Sequence, residues 1–275
     1  MNINYHNWRD FVECPKKFHM IHVERVLPTV PVNEYFTIYG KLIQRFFELY
    51  CNIWRFKTPY LFKEIIQERM EKILDGMLIT MEVNWSVPGA KLGRDKILEK
   101  AVTDASTIME GPTLNYFLAT QSEVSIDLKL SDGNVINGRI DFIHHNVDKS
   151  TLVFDGKGTS TKGKNISREQ LLFYALLYYL HYKSLPEHLG FFYYHLDEFE
   201  PVTYTLDMLN SFRARLSLDI KAMVSGARKE ATPSAKSCKH CPYLNTCMEG
   251  LKSKNERARR SQINIEGEGV VVFGL

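Results

Sequence analysis

Apolar residues recur along the chain at two different periods, and the change from one to the other divides it. Trp8, Phe11, Val12, Phe18 and Ile21 lie at helical spacing within residues 5–25, and the Cys14-Pro15 break predicts two short helices joined by a turn. Pro28 and Pro31 mark a loop. Leu42, Ile43, Phe46, Phe47, Leu49, Tyr50, Ile53 and Trp54 then predict one well-buried helix over residues 38–56. From residue 61 to 117, amphipathic helical stretches are interrupted at Pro88-Gly89 and at Gly111-Pro112, the pattern of an all-helical segment.

At Glu123 the period shortens to about 2. Glu123-Val124-Ser125-Ile126-Asp127-Leu128 alternates ahead of the turn-forming Ser131-Asp132-Gly133-Asn134. Residues 135–144 and 151–155 supply two more strands around a polar turn at 146–150, giving a three-strand antiparallel meander. A loop rich in Gly, Ser, Thr and Lys over 156–165 leads into a helix from 167 to 182, and residues 190–195 read as a further buried strand. A helix returning the chain to a strand implies a mixed sheet, so the fold class is α/β (α+β). One more helix is expected over 207–225, followed by a cysteine-rich stretch. A tail begins near residue 251, basic through Lys252, Lys254, Arg257, Arg259 and Arg260, then acidic and apolar through Glu266, Glu268 and Val270 to Phe273.

Composition narrows the class. A chain of 275 residues with 44% hydrophobic and 24% charged residues buries a core and is not disordered. No stretch approaches the ~20 consecutive apolar residues of a membrane helix. Met1-Asn2-Ile3-Asn4-Tyr5-His6 lacks the basic-then-apolar run of a secretory signal, so the expected location is the cytoplasm. Thirty-five basic against 32 acidic residues leave a net charge of +3, which permits a nucleic-acid partner without demonstrating one.

Two neighbouring strands end in acidic residues, Asp141 in Gly138-Arg139-Ile140-Asp141 and Asp155 in Asp155-Gly156-Lys157. Strand alternation puts Asp155 and Lys157 on one face. Paired carboxylates are a hard-oxygen site suited to Mg²⁺ or Mn²⁺, and a lysine two residues away can orient an attacking water and offset charge on a phosphoryl transition state. The plainer alternative is two strand-end carboxylates and a solvated lysine.

The five cysteines are Cys14, Cys51, Cys238, Cys241 and Cys247, the last three within ten residues. In a reducing compartment such a cluster is metal-ligating rather than disulfide-bonded, and it needs a fourth ligand from Cys14, Cys51 or His240. Cys51 lies on an apolar helix and reads as a small buried hydrophobe, while His240 sits inside the Cys238–Cys241 loop, where chelation would be strained. Four thiolates serve Zn²⁺ as well as an iron–sulfur cluster, so spacing leaves the metal open.

Several motifs occur in one order: Gly40, Gln44 and Glu48 on the long helix, Glu123 on the first strand, Gly138 and Asp141 on the next, then Asp155 and Lys157, then Gln170 and Tyr174 one turn apart on a helix. In this order the sequence resembles the PD-(D/E)xK nuclease superfamily, specifically its RecB-like branch. Cys14 in Glu13-Cys14-Pro15, far from the other three cysteines, resembles the members of that branch that carry an iron–sulfur cluster, such as AddB-type and CRISPR-associated adaptation nucleases. The resemblance implies a restriction-endonuclease-like core at about 119–200, a helical insertion at about 57–117, and an iron–sulfur segment at 236–248 closing onto Cys14. All of these would lie in one domain over 1–250, with a tail at 251–275. It also implies a metal-dependent DNA nuclease, an exonuclease on single-stranded ends or flaps. Asp141 and Asp155 would hold Mg²⁺ or Mn²⁺ with help from Gln44 and Glu123, Lys157 would act on water, and Gln170 and Tyr174 would position the lysine and the DNA backbone. Cys14, Cys238, Cys241 and Cys247 would bind [4Fe-4S], with structural Zn²⁺ as the alternative.

Gln44 stands where the family has histidine, which raises the competing expectation of a weakened enzyme that only binds DNA ends. Gly156 and Gly158 replace bulkier residues, from which a flexible loop is expected. Lys162 and Lys164, and Lys91, Arg94 and Lys96 in the insertion, are expected phosphate contacts. Residues 263–275 read as a segment for a protein partner or as a last edge strand.

Overall fold

The meander forms as the alternation requires. β2 (Thr120–Lys129), β3 (Val135–His145) and β4 (Thr151–Lys157) pair antiparallel in sequence order. The structure is a computed structural model, described for residues 1–28, 34–87, 90–159, 161–163, 166–234, 237–238, 241–250 and 252. Lys164, His240 and the tail segment 253–275 lie outside the described residues. The chain divides into two compact units, one made of Met1–Ile3 with Asn33–Arg215, the other of Asn4–Val32 with Leu216–Leu275.

The first unit holds the sheet. β1 (Asn2–Ile3) pairs parallel with the start of β3, β4 pairs parallel with β5 (His188–Tyr193), and β6 (Glu198–Val202) closes the edge antiparallel to β5. The result is a mixed six-stranded sheet, as an α/β fold of the restriction-endonuclease type requires. The parallel β4–β5 pair needs a crossover, which α7 (Arg168–Tyr182) provides. Leu171, Phe173, Ala175, Leu176 and Leu177 of α7 are buried, so this helix shows little amphipathic contrast.

α3 (Tyr35–Leu49) is the other buried helix and continues as a π-helical turn at Tyr50–Trp54, where one helix over 38–56 is expected from the sequence. Within 57–117 the described helices are chiefly α4 (Lys63–Leu78) and α5 (Arg94–Glu110), separated by a non-helical stretch, with α6 (Asn115–Leu118) leading into β2. Aromatic rings join these helices to the sheet: Phe47 stacks on Phe117 at 4.3 Å, and Phe142 on Phe154 at 4.8 Å. Phe142 and Phe154 are fully buried, and each is the neighbour of an aspartate, Asp141 or Asp155. Adjacent strand residues point to opposite sides, so burying the two phenylalanines turns the two aspartates away from the aromatic core.

The second unit is built from the two ends of the described chain. α1 (Tyr5–Glu13) starts at a capping box in which Asn4 and Asn7 bond reciprocally, and Pro15 opens the short α2 (Pro15–Phe18). Phe11 and Phe18 pack edge to face at 5.5 Å. α8 (Leu206–Ser225) contributes Leu216, Ile220 and Met223 to this unit's core. Trp8 Nε1 donates to Asp219 at 3.0 Å, Thr232 Oγ1 to the Glu13 carbonyl at 2.8 Å, and the Tyr243 hydroxyl to the Val26 carbonyl at 2.8 Å.

Candidate active site

The register of the meander sets three carboxylates in a row. Ser122 pairs with Phe142 and Val124 with Ile140, so Glu123 faces Asp141 across β2 and β3. Phe142 pairs with Phe154, so one step further along the ladder Asp141 faces Asp155 across β3 and β4. Asp141 is 9% exposed and Asp155 2%. Glu123 has φ +57°, a left-handed conformation uncommon for a residue with a Cβ. Its neighbour Ser122 is fixed on three sides. Its Oγ donates to the Glu48 carbonyl at 3.1 Å, its N–H to Asn52 Oδ1 at 3.3 Å, and its carbonyl accepts from Asn52 Nδ2 at 3.2 Å.

Gln170 and Tyr174, one helical turn apart on α7, join the acidic row to the lysine. Gln170 Nε2 donates to Asp155 Oδ1 at 2.7 Å and to the Tyr174 hydroxyl at 3.1 Å, while Gln170 Oε1 accepts from Lys157 Nζ at 3.3 Å. The Tyr174 hydroxyl donates to Asp141 Oδ1 at 2.9 Å, and Lys157 forms an ion pair with Asp155. Asp141, Asp155, Lys157, Gln170 and Tyr174 are therefore in one connected network.

The charges in this network are crowded. Burial, and after it the Asp155 carboxylate, hold the Asp141 carboxyl well above the usual carboxylate range, against the Tyr174 hydrogen bond, which lowers it. Burial and the neighbouring Glu48 carboxylate push Glu123 up to about 7, opposed by Arg139 and by a hydrogen bond from Gln44. Gln44 thus lies beside Glu123. Arg139 forms an ion pair with Glu123 and Lys157 one with Asp155 Oδ2; beyond Gln44 and these two cations, no donor among the described residues reaches the Glu123 oxygens or Asp155 Oδ2.

A divalent cation fits this donor set. Buried carboxylate oxygens with few hydrogen-bond donors are what a hard cation satisfies, and every donor offered is oxygen. Among the described residues no three His, Cys, Asp or Glu side chains stand at the spacing of a ready metal cage. Mg²⁺ does not require one, because it binds through one or two carboxylates and keeps several waters.

Glu48 is named by the sequence as a motif residue with Gly40 and Gln44, but not as a ligand. Glu48 is 7% exposed and beside Glu123; its signal is a lone carboxylate on the apolar face of α3, one turn after Gln44. Tyr194 lies over Gly156, and nothing in the aromatic run Phe191-Phe192-Tyr193-Tyr194 distinguishes it from core. The loop expected from Gly156 begins only after β4. Gly156 lies in β4, where a Cβ would come 2.1 Å from the Tyr194 hydroxyl, and a Cβ on Gly158 would come 2.6 Å from Gly40 Cα. Both glycines answer close approach rather than a need for mobility.

Of the expected phosphate contacts, Lys162 is paired with Glu198, and Arg94 with Asp75 at 2.5 Å and Asp95 at 3.1 Å, while Lys91 and Lys96 are exposed. In the second unit, Cys14, Cys238, Cys241 and Cys247 line one pocket with Lys16, Lys17 and Tyr243. All four thiols are free of disulfides. Cys51 is fully buried, its thiol raised by burial and directed at the Phe117 carbonyl at 3.5 Å.

No curated protein matches the chain significantly by sequence. Among solved structures, a "Putative exonuclease" from Eubacterium rectale superposes with a TM-score of 0.52 at 9% identity, covering 88% of this chain and 87% of its own. SSO0001 aligns over 78% of this chain and 97% of its own at 16% identity, with a TM-score of 0.37. The first likeness is one of fold. The sequence profile of the PD-(D/E)XK nucleases spans residues 3–248, which contain the carboxylate row, the lysine and all five cysteines. The chain belongs to the PD-(D/E)XK nuclease superfamily.

Proposed function

We propose that this chain is a divalent-metal-dependent DNA nuclease of the RecB-like branch, an exonuclease acting on single-stranded ends or flaps in recombination, repair or replication. The observation that carries the reading is the Gln170–Tyr174 bridge, which ties Asp141, Asp155 and Lys157 into one hydrogen-bonded unit. A degenerate site has no reason to keep that unit intact. Members of the superfamily generally use Mg²⁺ or Mn²⁺.

In this reading Asp141 and Asp155 hold the cation, with Glu123 and Gln44 beside them and Glu48 adding to the negative field. When bound, the cation supplies Lewis acidity toward a phosphate oxygen. Lys157 holds the attacking water and offsets negative charge as it builds on the phosphoryl group, and Gln170 fixes the lysine through its amide oxygen. Gln44 offers a neutral carbonyl where an imidazole would bind Mn²⁺ better, which favours Mg²⁺. Restoring the imidazole with Gln44→His is expected to raise Mn²⁺-supported cleavage.

The same reading gives the cysteine pocket a [4Fe-4S] cluster held by Cys14, Cys238, Cys241 and Cys247. It is supported by four unpaired thiols on one pocket in the order one-plus-three. The decisive experiment is cleavage of end-labelled single-stranded DNA with Mg²⁺ and with Mn²⁺ by protein purified without oxygen, with absorption spectrum and iron content measured on the same sample. Cleavage by the parent chain and its loss in Asp155→Ala and Lys157→Ala are expected; full activity in both variants overturns the reading. DNA binding without cleavage under either metal favours the end-binding alternative.

A further inference from the structure

The segment that leaves the acidic row along α3 carries an exposed surface that the proposed active site does not use. Past Glu48 the helix continues through the π-helical turn Tyr50–Trp54 into Arg55-Phe56-Lys57-Thr58-Pro59-Tyr60-Leu61-Phe62-Lys63, where aromatic and basic side chains interleave. Phe56 is 72% exposed, Tyr60 64% and Phe62 75%. Apolar residues scattered singly over a surface need no explanation, but three large rings open to solvent within seven residues do.

Folding does not ask for these rings. Leu61, between Tyr60 and Phe62, turns into the core at 5% exposure, and the Tyr50 hydroxyl donates to the Pro59 carbonyl at 2.5 Å, so the segment is anchored by other groups. Phe62 is the N-cap of α4, a position where Ser, Thr, Asp or Asn would satisfy an open backbone N–H and Phe satisfies none. The charge here has one sign, because no acidic residue falls between Glu48 and Glu64. Arg55 is held by the Phe117 and Leu118 carbonyls at 3.3 and 2.5 Å, with its guanidinium 4.6 Å from the centre of the Phe56 ring. Lys57 and Lys63 are exposed and make no ion pair among the described residues. The surface is tied to the acidic row through Asn52, whose side-chain amide brackets the backbone of Ser122, the neighbour of Glu123. Phe56 follows Glu48 by roughly two helical turns, on the order of 10 Å.

We propose that Phe56, Tyr60 and Phe62 are a stacking platform for the bases of single-stranded DNA, with Lys57 and Lys63 set against its phosphates, guiding the strand to the acidic row. Exposed rings beside unpaired cations are the two parts that single-strand recognition needs, because every base offers a face to stack on and every linkage a negative charge. A duplex keeps its base faces in its own stack, so the platform selects an unpaired end or flap. The one-sided charge favours a polyanion over a second copy of this chain, whose matching surface would be equally basic. The inference rests on the single-strand nuclease reading above.

The test is fluorescence anisotropy of an end-labelled single-stranded oligonucleotide, and of a duplex of the same length, titrated with the full chain without added divalent cation so that binding is read apart from cleavage. Phe56→Ala, Tyr60→Ala and Phe62→Ala are each expected to weaken single-strand binding roughly 5–100-fold, with duplex binding changed less than about twofold. Their melting temperatures are expected to stay at the parent's, since the rings are exposed. Phe62→Trp is expected to keep the parent affinity, because any flat aromatic face stacks, and Lys57→Gln to lower the salt slope of single-strand binding by about 0.7. In cleavage the loss from each alanine is expected in KM. Unchanged single-strand affinity in the triple alanine variant overturns the proposal, as does an equal loss on duplex, which marks an unselective phosphate surface. Self-association of the parent that the triple variant abolishes, with DNA affinity unchanged, makes the rings an interface between copies and overturns it too. A parent chain that neither binds nor cleaves single-stranded DNA overturns the nuclease reading itself, so the two failures are distinct.

Discussion

Gln170 is the residue on which the geometry of the proposed catalytic network turns, because its single amide faces three partners. Its nitrogen serves Asp155 and Tyr174 and its oxygen serves Lys157, so Gln170→Ala frees the lysine without removing a charge. The expected result is a kcat lower by about 10–100-fold with KM little changed, read from cleavage kinetics. Loss of DNA affinity with unchanged kcat would instead assign Gln170 to substrate binding.

Glu123 makes a second prediction at this scale. Its folded carboxyl titrates at about 7 against about 4.3 unfolded, chiefly through burial and then Glu48. A raised acid binds its proton more tightly in the folded state. Its stabilisation is therefore complete below pH ~4.3 and lost as pH rises through about 7. Asp141 is shifted in the same direction. Without cation, the melting temperature is expected to fall more steeply between pH ~5 and ~8 in the parent than in Glu123→Gln, and Mg²⁺ is expected to remove most of that difference by taking the proton's place. Parallel profiles for the two proteins count against a charge-crowded site.

At the scale of elements, the contact between α3 and the end of β4 is made backbone to backbone. A Cβ on Gly158 stands 2.6 Å from Gly40 Cα, whereas a Cβ on Gly40 meets Gly158 Cα at an ordinary 3.7 Å. The two glycines should respond oppositely. Gly158→Ala is expected to cost about 1–3 kcal/mol in urea unfolding. Gly40→Ala, inside a helix and unobstructed, is expected to be neutral or to stabilise by up to about 1 kcal/mol. Equal effects would mean that the approach of α3 to β4 is not what selects glycine.

α5 is tied to the same region by Asp104. This residue accepts from the Tyr39 hydroxyl at 2.5 Å and Lys100 Nζ at 2.7 Å, and contacts His195 Nδ1 at 3.0 Å. Asp104→Ala leaves three polar groups without their common partner and is expected to lose about 1.5–3 kcal/mol.

The elements that the sequence makes legible are those with a sustained period, such as β2 and α3, and those with a continuous apolar run bounded by turn residues, such as β4 and α7. β1 has two residues, too few to display any period, and β6 carries Glu198, Glu200 and Pro201, which conceal an edge strand. Gly156 reads as a loop residue because glycine is a breaker in isolation, and only the position of Tyr194, far along the chain, shows why a strand continues through it. The motif residues on β3, β4 and α7 are legible because fixed spacing along one element survives folding. The Glu123–Glu48 neighbourhood is not, because it depends on how β2 turns at Ser122 against α3.

At the scale of the whole molecule, five cysteines separate into four and one by environment. Cys51 is fully buried in the first unit among Phe47, Tyr50 and Phe117, and burial keeps its thiol protonated. The other four share a pocket in the second unit, the one that gathers residues from both ends of the chain through Trp8–Asp219, Thr232–Glu13 and Tyr243–Val26. A metal group held there would close a loop of more than two hundred residues between Cys14 and Cys238, and its binding energy would be folding energy for that unit. The expectation is sharply unequal across the set. Cys14→Ala should abolish iron content and the visible absorption of anaerobically purified protein and lower the melting temperature, although Cys14 lies far from the other three in sequence. Cys51→Ala should retain iron at the parent level, with only the modest stability loss of a small core truncation. Full iron in Cys14→Ala would remove the N-terminal segment from the ligand set, and zinc in place of iron in the parent would keep the four ligands but change the metal they hold.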